Sequence, residues 1–324
     1  MKKLVSAAVT ATLLSGTAAF AETEYRVGVM LFGLSEYMSL LTKAMDTHPM
    51  VVDGTVKLTV LDGRFDAVVQ ANQMDTLITQ QFDAVIFAPI DQDAAVAPIQ
   101  RARAAGIPVI TAVTGAAGDD FNAYIGPSDV EAGRLIGEEM AKRLDGKGNV
   151  VIIEGPIGNS PQINRRKGID EALANHPEIK VLASKTGNWS RAEGLAVMEN
   201  WLSLYGDGID GVIAQNDEMG LGAIEAIRAK GLTNDRIKVV AIDGISDGLK
   251  AVKDYGMFTL ARSVTFEGQA ALDLALGAVI GAGYEPKAAG WTEFDLPWNG
   301  GTDKLYGAPW FPVYPDNVAQ FQAD

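Results

Sequence analysis

Residues 211–230 read GVIAQNDEMGLGAIEAIRAK. The first four are small or β-branched apolar residues, typical of a short buried strand, and apolar residues from Met219 onward recur at helical spacing. Three polar residues, Gln215, Asn216 and Asp217, separate the two patterns. The segment therefore predicts one strand–loop–helix unit with polar side chains just beyond the carboxyl end of its strand.

The same alternation of strand and helix patterns extends in both directions along the chain. A first series predicts strands at 27–32, 56–61, 84–87 and 109–113, with helices at 36–47, 66–81 and 93–105. A second series predicts strands at 150–153, 180–184, 211–214, 238–242 and 257–261, with helices at 129–144, 162–175, 190–204, 217–230, 246–254 and 266–280. The fold class is thus α/β, with two doubly wound, Rossmann-like parallel-sheet lobes.

The lobes are expected to be joined by more than one chain segment. We place the first linker at 122–128 and expect the helix of the late strand–helix pair around 257–280 to return to the first lobe. The first lobe then comprises 22–127 and about 263–290, and the second comprises 128–262 and about 291–324 with its tail. Several crossings would form a hinge beside a cleft, the geometry of domain closure around a ligand.

Composition excludes several functional classes. The chain has 324 residues, no cysteine and two histidines, and its formal net charge is −14. Disulfide frameworks, zinc fingers and thiol catalysis require cysteine, and neither His48 nor His176 has a partner at metal-ligand spacing. We therefore expect no metal and no cofactor. The acidic balance also argues against a nucleic-acid partner.

The N-terminus has the pattern of an export signal. Lys2 and Lys3 precede an apolar, small-residue-rich run that ends in Ala19-Phe20-Ala21. This order fits a secretory signal peptide over residues 1–21 with cleavage after Ala21, and the run is short for a spanning helix. We expect a soluble, exported product.

Chemistry is expected at the strand ends, because ligands of open parallel sheets bind beyond the carboxyl ends of the strands. The segments there are rich in polar and aromatic residues. Seven candidate ligand-binding residues follow from them: Tyr37, Asn159, Arg165, Trp189, Asn216, Asp243 and Arg262. Glu36 is a further candidate. Aromatic faces together with amide, carboxylate and guanidinium groups suit a polyhydroxylated ligand.

Each candidate also has a purely structural interpretation. Asp217 and Asp243 are plausible helix caps or turn residues, and Tyr37 and Trp189 could belong to the core. Arg165 begins a short charged run, which usually forms a solvated helix face. The functional interpretation depends on their joint occurrence at strand ends.

The stretch 212–223 closely resembles that of the periplasmic sugar-binding proteins of ABC importers, of the ribose and galactose type, which share their fold with the lac repressor core. The segments 106–111, 181–184 and 239–244 support this resemblance, which spans about residues 25–283. It implies the type I periplasmic binding protein fold. It also implies export to the periplasm.

The resemblance implies roles for the candidate residues. Tyr37 takes the place of a stacking Phe, and Trp189 that of an aromatic in the opposite lobe, so the two rings are expected to sandwich the ligand. Arg165 matches a sugar-binding arginine, whereas Asn216 and Asp243 match groups that hold ring hydroxyls. Asn159 falls where some members place a polar contact.

Departures from the family lie mainly in the first lobe. Arg262 stands where Gln or Asn is usual, and the first-lobe positions that lack the family's amide or charged group are Leu34, Ala88, Val113 and Thr114. Val113 is nevertheless kept as a candidate lining residue. A site that hydrogen-bonds a hydroxyl discriminates strongly, so these losses predict a ligand other than ribose or galactose.

The expected function is that of a monomeric, non-enzymatic receptor that binds a small monosaccharide or polyol. Its expected partners are the permease subunits of an ABC transporter, with a chemoreceptor as a further partner. Two alternatives remain open. The paired arginines Arg165 and Arg262 could recruit a sugar acid or another anion. An exported carbohydrate-active enzyme would need two facing carboxylates, for which Glu36 and Asp243 are the candidate pair.

Overall fold

The structure, a computed structural model, describes residues 24–321, so the expected signal peptide lies outside the described residues. The strands are β1 (Tyr25–Leu31), β2 (Val56–Asp62), β3 (Ala84–Phe87), β4 (Val109–Ala112), β5 (Ala123–Ile125), β6 (Lys147–Glu154), β7 (Glu178–Thr186), β8 (Gly211–Ala214), β9 (Lys238–Asp243), β10 (Phe258–Ala261), β11 (Leu305–Tyr306) and β12 (Phe311–Val313). The helices are α1 (Glu36–Asp46), α2 (Pro49–Val52), α3 (Ala67–Thr79), α4 (Val96–Ala104), α5 (Asp129–Arg143), α6 (Ser160–Leu173), α7 (Arg191–Tyr205), α8 (Asp217–Ala229), α9 (Ser246–Tyr255), α10 (Val264–Ile280) and α11 (Gly290–Glu293).

Two six-stranded sheets form the two lobes, which confirms the predicted fold class. The first has the order β11-β5-β4-β3-β1-β2 and the second β12-β10-β9-β8-β6-β7. Every pairing is parallel except that of β12 with β10. Within each sheet the first five strands follow the doubly wound order 2-1-3-4-5, so the carboxyl ends of the strands lie along one edge.

Polar caps fix the strand-to-helix turns at that edge. Ser35 caps α1 by accepting from the Met38 amide at 3.2 Å. Asn216 caps α8 by accepting from the Met219 amide at 2.9 Å. Each cap satisfies an otherwise unpaired helix amide and sets the angle at which the chain leaves the strand.

The chain crosses between the lobes at 126–128, 262–263 and 307–310. The segment expected as the first linker is in part a strand, because β5 pairs with β4. Helix α10 packs on β3, β4 and β5 of the first sheet.

The tail is divided between the lobes at a different point from the one expected. β11 pairs with β5, so the chain stays with the first lobe through Tyr306 instead of leaving it near residue 291. Trp291 holds this segment, since its ring centroid lies 5.1 Å from that of Trp298 and 5.3 Å from that of Tyr306. β12 then joins the second sheet beside β10.

Helix α4 begins later than predicted. The chain from Asp91 first forms a turn in which Asp91 Oδ1 accepts from the amides of Asp93 and Ala94, at 2.9 and 2.8 Å. The regular helix starts at Val96. No helix within residues 24–321 combines the length and the apolar character needed to cross a membrane.

Candidate functional site

A small cavity lies between the lobes at the carboxyl edges of the two sheets. Eight of the predicted residues line it: Tyr37, Val113, Asn159, Arg165, Trp189, Asn216, Asp243 and Arg262. Five residues that the sequence analysis did not select complete the wall: Phe32, Ser35, Met38, Thr114 and Pro161.

Glu36 is not part of this cavity. It lines a neighbouring, larger cavity together with Arg191 and Glu218. Glu36 is the first residue of α1, where the side chain of the next residue, Tyr37, lines the first cavity and that of Glu36 lines the second. Glu36 and Asp243 therefore do not face one cavity as an enzymatic pair would.

Arg165 is held in place from three sides by the second lobe. Its Nε lies 2.8 Å from Asp129 Oδ1, its Nη1 donates to the carbonyl oxygen of Gln215, and its Nη2 lies 3.8 Å from Asp243 Oδ1. The side chain is almost fully buried. It is therefore not part of a solvated helix face, in contrast to its neighbour Arg166, which pairs with Glu154 and Asp170.

Arg262 occupies the second crossing and meets acids from both lobes. Its Nη2 lies 3.4 Å from Asp243 Oδ1 and its Nη1 lies 3.6 Å from Glu267 Oε2. Burial by itself would lower the pKa of Arg262, but the carboxylates of Glu267 and Asp243 raise it above its ordinary value. The guanidinium therefore stays charged.

Asp243 is the acceptor that both guanidiniums share. It lies at the end of β9 and is buried. Burial raises the pKa of Asp243 above its ordinary value, although Arg262 and Arg165 partly offset this effect. Its neighbour Asp217 lies outside the cavity and accepts from Thr259 Oγ1 at 2.6 Å and from the Ile245 amide at 3.0 Å. Asp217 thus holds the loop that follows Asp243.

Backbone strain is concentrated in the cavity wall. Val113, Trp189 and Asp243 have φ of 66°, 59° and 130°. A positive φ is unusual for any residue with a Cβ and is a clear outlier for a β-branched one such as Val113. Such strain tends to occur at functional sites, where the surrounding structure imposes it.

The aromatic residues are arranged differently from the expected pair. Tyr37 and Trp189 do line one cavity, but the Arg262 guanidinium covers a face of Tyr37, 4.0 Å from its ring centroid. One face of the Tyr37 ring is therefore covered by the protein's own guanidinium group. Phe32 provides further aromatic surface in the first-lobe wall. Phe32 directly follows β1, whereas the sequence pattern predicts it as the last residue of that strand, so the strand-end rule does not select it.

Trp189 depends on a glycine in the neighbouring loop. A Cβ at Gly155 would lie 2.1 Å from the Trp189 ring, so glycine is required where the indole packs against this loop. The Trp189 carbonyl oxygen also accepts from Asn216 Nδ2 at 3.4 Å. Asn216 thus serves as a helix cap and as a wall residue at the same time.

Asn159 connects the two lobes. Its Nδ2 donates to the carbonyl oxygens of Pro89 and Ile90 in the first lobe, both at 3.0 Å. A second bond across the cleft runs from the Gly115 amide to Ser160 Oγ at 2.7 Å. The Nδ2 group of Asn159, a residue expected to bind the ligand, therefore bonds one lobe to the other. Asn159 Oδ1 is buried and has no hydrogen-bond partner within residues 24–321.

Comparisons with known proteins give one consistent result. Residues 49–283 match the family model described as a periplasmic binding protein domain. A xylitol-binding protein of Mycolicibacterium smegmatis is 43% identical over 73% of this chain and 66% of its own length. A putative rhizopine-binding protein of Rhizobium meliloti is 33% identical over 89% of this chain and 94% of its own length. An ABC transporter solute binding protein from Bacillus halodurans, solved with bound myo-inositol, is 30% identical with a TM-score of 0.82 and covers 93% of this chain and 98% of its own.

Proposed function

The chain belongs to the periplasmic binding protein family, and we propose that it is the periplasmic receptor of an ABC transporter and holds a small neutral polyol or monosaccharide between its lobes. The family membership confirms the resemblance predicted from residues 212–223. The relatives named above are solute-binding proteins. The receptor would deliver its ligand to the permease subunits in the membrane.

The balance of charge around the cavity is the observation that supports a neutral ligand. Two buried guanidiniums, Arg165 and Arg262, are accompanied by the three carboxylates of Asp129, Asp243 and Glu267. An anionic ligand would bring a fourth negative charge into this buried cluster, where like charges repel strongly. A polyol adds no charge, and its hydroxyls can both donate and accept.

The same balance argues against a sugar acid. That alternative requires two arginines that are free to bind a carboxylate. Arg165 instead lies within 4 Å of the carboxylates of Asp129 and Asp243, and it donates to a backbone carbonyl oxygen. Arg262 lies within 4 Å of the carboxylates of Asp243 and Glu267. The two arginines are therefore better suited to donate hydrogen bonds to the hydroxyls of a neutral ligand than to bind a carboxylate. A charged hydrogen bond of this kind is stronger than one between neutral groups.

The first-lobe wall favours a ligand with exposed C–H surface. Phe32, Met38 and Val113 lie on that side of the cavity, and Trp189 lies on the other. Apolar and aromatic surfaces bury the carbon skeleton, while the polar groups that fix orientation come from the second lobe and the hinge. Closure then removes water, which strengthens each hydrogen bond to the ligand.

A thermal-shift panel tests the ligand class. We expect at least one tetritol, pentitol or aldose at 100 times its Kd to raise the Tm by about 4 °C or more, because a ligand that binds the folded state alone stabilises it by about 2.7 kcal/mol at that concentration. The panel includes the matching aldonates. If an aldonate raises the Tm and no polyol or aldose does, the sugar-acid alternative is correct.

Trp189 provides a test of the aromatic wall. Trp189→Ala should weaken binding of the polyol at least tenfold, because the apolar cover of a buried ligand contributes on the order of 1 to 3 kcal/mol. Calorimetry measures the change, and Trp189→Phe, which retains an aromatic face, should lose less. Equal affinity of Trp189→Ala and the natural protein would remove Trp189 from the site.

A further inference from the structure

Glu267 is a buried acid that neither the strand-end rule nor the family resemblance selects. It lies in the first turn of α10 and its side chain is fully buried. Its Oε2 accepts from the Tyr37 hydroxyl at 2.8 Å. Its Oε1 has no hydrogen-bond partner in the part of the chain that the structure describes.

Glu267 and Asp243 approach Arg262 from opposite lobes. The Glu267 carboxylate lies 3.6 Å from Arg262 Nη1, whereas Asp243 Oδ1 lies 3.4 Å from Nη2. The Tyr37 ring, which Glu267 holds through its hydroxyl, lies beneath the same guanidinium. Glu267 thus acts on the orientation of Arg262 in two ways, by its charge and through Tyr37.

Arg262 nevertheless retains donors that the protein leaves unused. Nε and Nη1 are buried and have no hydrogen-bond acceptor within residues 24–321, although the guanidinium as a whole is charge-compensated. A buried donor without a partner costs free energy, so a ligand oxygen at this position would be bound favourably. Since the charge of Arg262 is already balanced, that oxygen need not be anionic.

We infer that Glu267 determines the selectivity of the cavity, because it neutralises Arg262 and so favours a hydroxyl over a carboxylate at the free guanidinium donors. This inference rests on the proposed function and adds a residue that sets the charge of the accepted ligand. Glu267 is a positioning residue, because it acts through Arg262 and Tyr37 and does not line the cavity itself.

The test compares matched neutral and anionic ligands. The probes are erythritol, threitol, xylitol, ribitol and arabinitol, each with the aldonate of the same configuration, titrated by calorimetry into the natural protein and into Glu267→Gln. This isosteric change removes one negative charge beside Arg262. The ratio of the aldonate Kd to the alditol Kd for the best-bound pair should fall at least tenfold.

A matched control separates selectivity from general damage. Glu139 is also a nearly buried glutamate that accepts from a tyrosine hydroxyl and an arginine, Tyr314 at 3.1 Å and Arg143 at 2.8 Å, but it lies in the second lobe away from the cavity. Glu139→Gln should leave the ratio of the two Kd values unchanged. A similar fall of this ratio in both variants would overturn the inference.

Further variants keep the inference testable if Glu267→Gln folds poorly. Arg262→Gln alone leaves Glu267 without its cation and should raise the ratio, since the cavity becomes more negative. The double variant Arg262→Gln/Glu267→Gln should reject aldonates at least as strongly as the natural protein does. An aldonate gain that persists without Arg262 would contradict the inference.

Failure of the inference and failure of the proposed function give different results. If the natural protein binds none of the alditols and no aldose of the thermal-shift panel, the proposed function is wrong and the inference falls with it. If the natural protein binds an alditol and Glu267→Gln leaves the ratio of the two Kd values unchanged, the inference alone is wrong.

Discussion

Asp243→Ala should weaken binding of the polyol at least 100-fold, the largest effect expected from any single change in the cavity wall. Asp243 Oδ1 is the shared neighbour of Arg165 Nη2 and Arg262 Nη2, at 3.8 and 3.4 Å. Its removal leaves buried positive charge less compensated and deletes a charged acceptor for ligand hydroxyls. Each effect is worth about 1 to 3 kcal/mol, so their sum of about 2 to 6 kcal/mol is centred above the roughly 2.7 kcal/mol that corresponds to 100-fold.

Two variants serve as controls for Asp243→Ala in calorimetry. Asp243→Asn retains the shape of the side chain and one acceptor, so it should fall between alanine and the natural residue. Asp254→Ala removes an exposed acid from the same lobe and should change the Kd less than twofold. An Asp243→Ala variant that folds and binds as tightly as the natural protein would exclude Asp243 from ligand binding.

Asp273→Ala should produce the largest loss of stability, about 3 to 5 kcal/mol in the free energy of unfolding. This carboxylate is buried in α10 and accepts hydrogen bonds that tie the tail to the first lobe. The donors are His48 Nε2 at 3.2 Å, Tyr284 hydroxyl at 2.6 Å, the Lys287 and Ala288 amides at 2.7 and 2.9 Å, and Trp291 Nε1 at 2.8 Å. Its removal leaves several buried donors unpaired, which costs far more than one average hydrogen bond.

The stabilisation from Asp273 should depend on pH. Burial by itself would raise the pKa of Asp273, but the hydrogen bonds from His48, Tyr284 and the two amides outweigh it and lower the pKa. A lowered pKa in the folded state means that the stabilisation is present above the ordinary value of about 4 and is lost as the pH falls below it. Urea unfolding at pH 7 and at pH 3 therefore should show a smaller gap between the natural protein and Asp273→Asn at the lower pH.

An exposed acid from the same segment provides the comparison. Asp295→Asn should change the free energy of unfolding by less than about 0.5 kcal/mol at either pH, as surface substitutions usually do. A gap for Asp273→Asn that stays constant between pH 7 and pH 3 would show that the charge of Asp273 does not provide the stabilisation.

The regular elements could be predicted because their periodicity is strong over many residues. Strand β8 has the predicted bounds, and α8 differs by one residue at its end. The short strands β5, β11 and β12 were missed. They have two or three residues each, too few for a pattern of alternation, and they form because a neighbouring strand offers free backbone groups.

The site was predictable in its location and less so in its internal contacts. The strand-end rule selects seven of the wall residues, because the topology brings those ends to one edge, and the family resemblance adds Val113. The rule does not specify which of them pair with each other. Tyr37 stacks under the Arg262 guanidinium and donates to the Glu267 carboxylate. Both contacts join residues that are more than 200 positions apart, so no local sequence pattern predicts them.

Glu267 illustrates the same limit. Its position within the apolar helix α10 resembles an ordinary acidic residue in a first turn, where it would complement the helix dipole. Its full burial follows from Tyr37 and Arg262, which reach it from other elements. A charged residue on the buried face of an otherwise apolar helix is the one signal that could have drawn attention to it.

A crystal structure of the protein with its best-bound polyol tests the central claim most directly. We expect the polyol in the cavity between the lobes, with hydroxyls within hydrogen-bonding distance of Asp243 and the free donors of Arg262, and with its carbon skeleton against Trp189. A polyol bound outside this cavity, or one that touches neither Asp243 nor Arg262, would contradict the account.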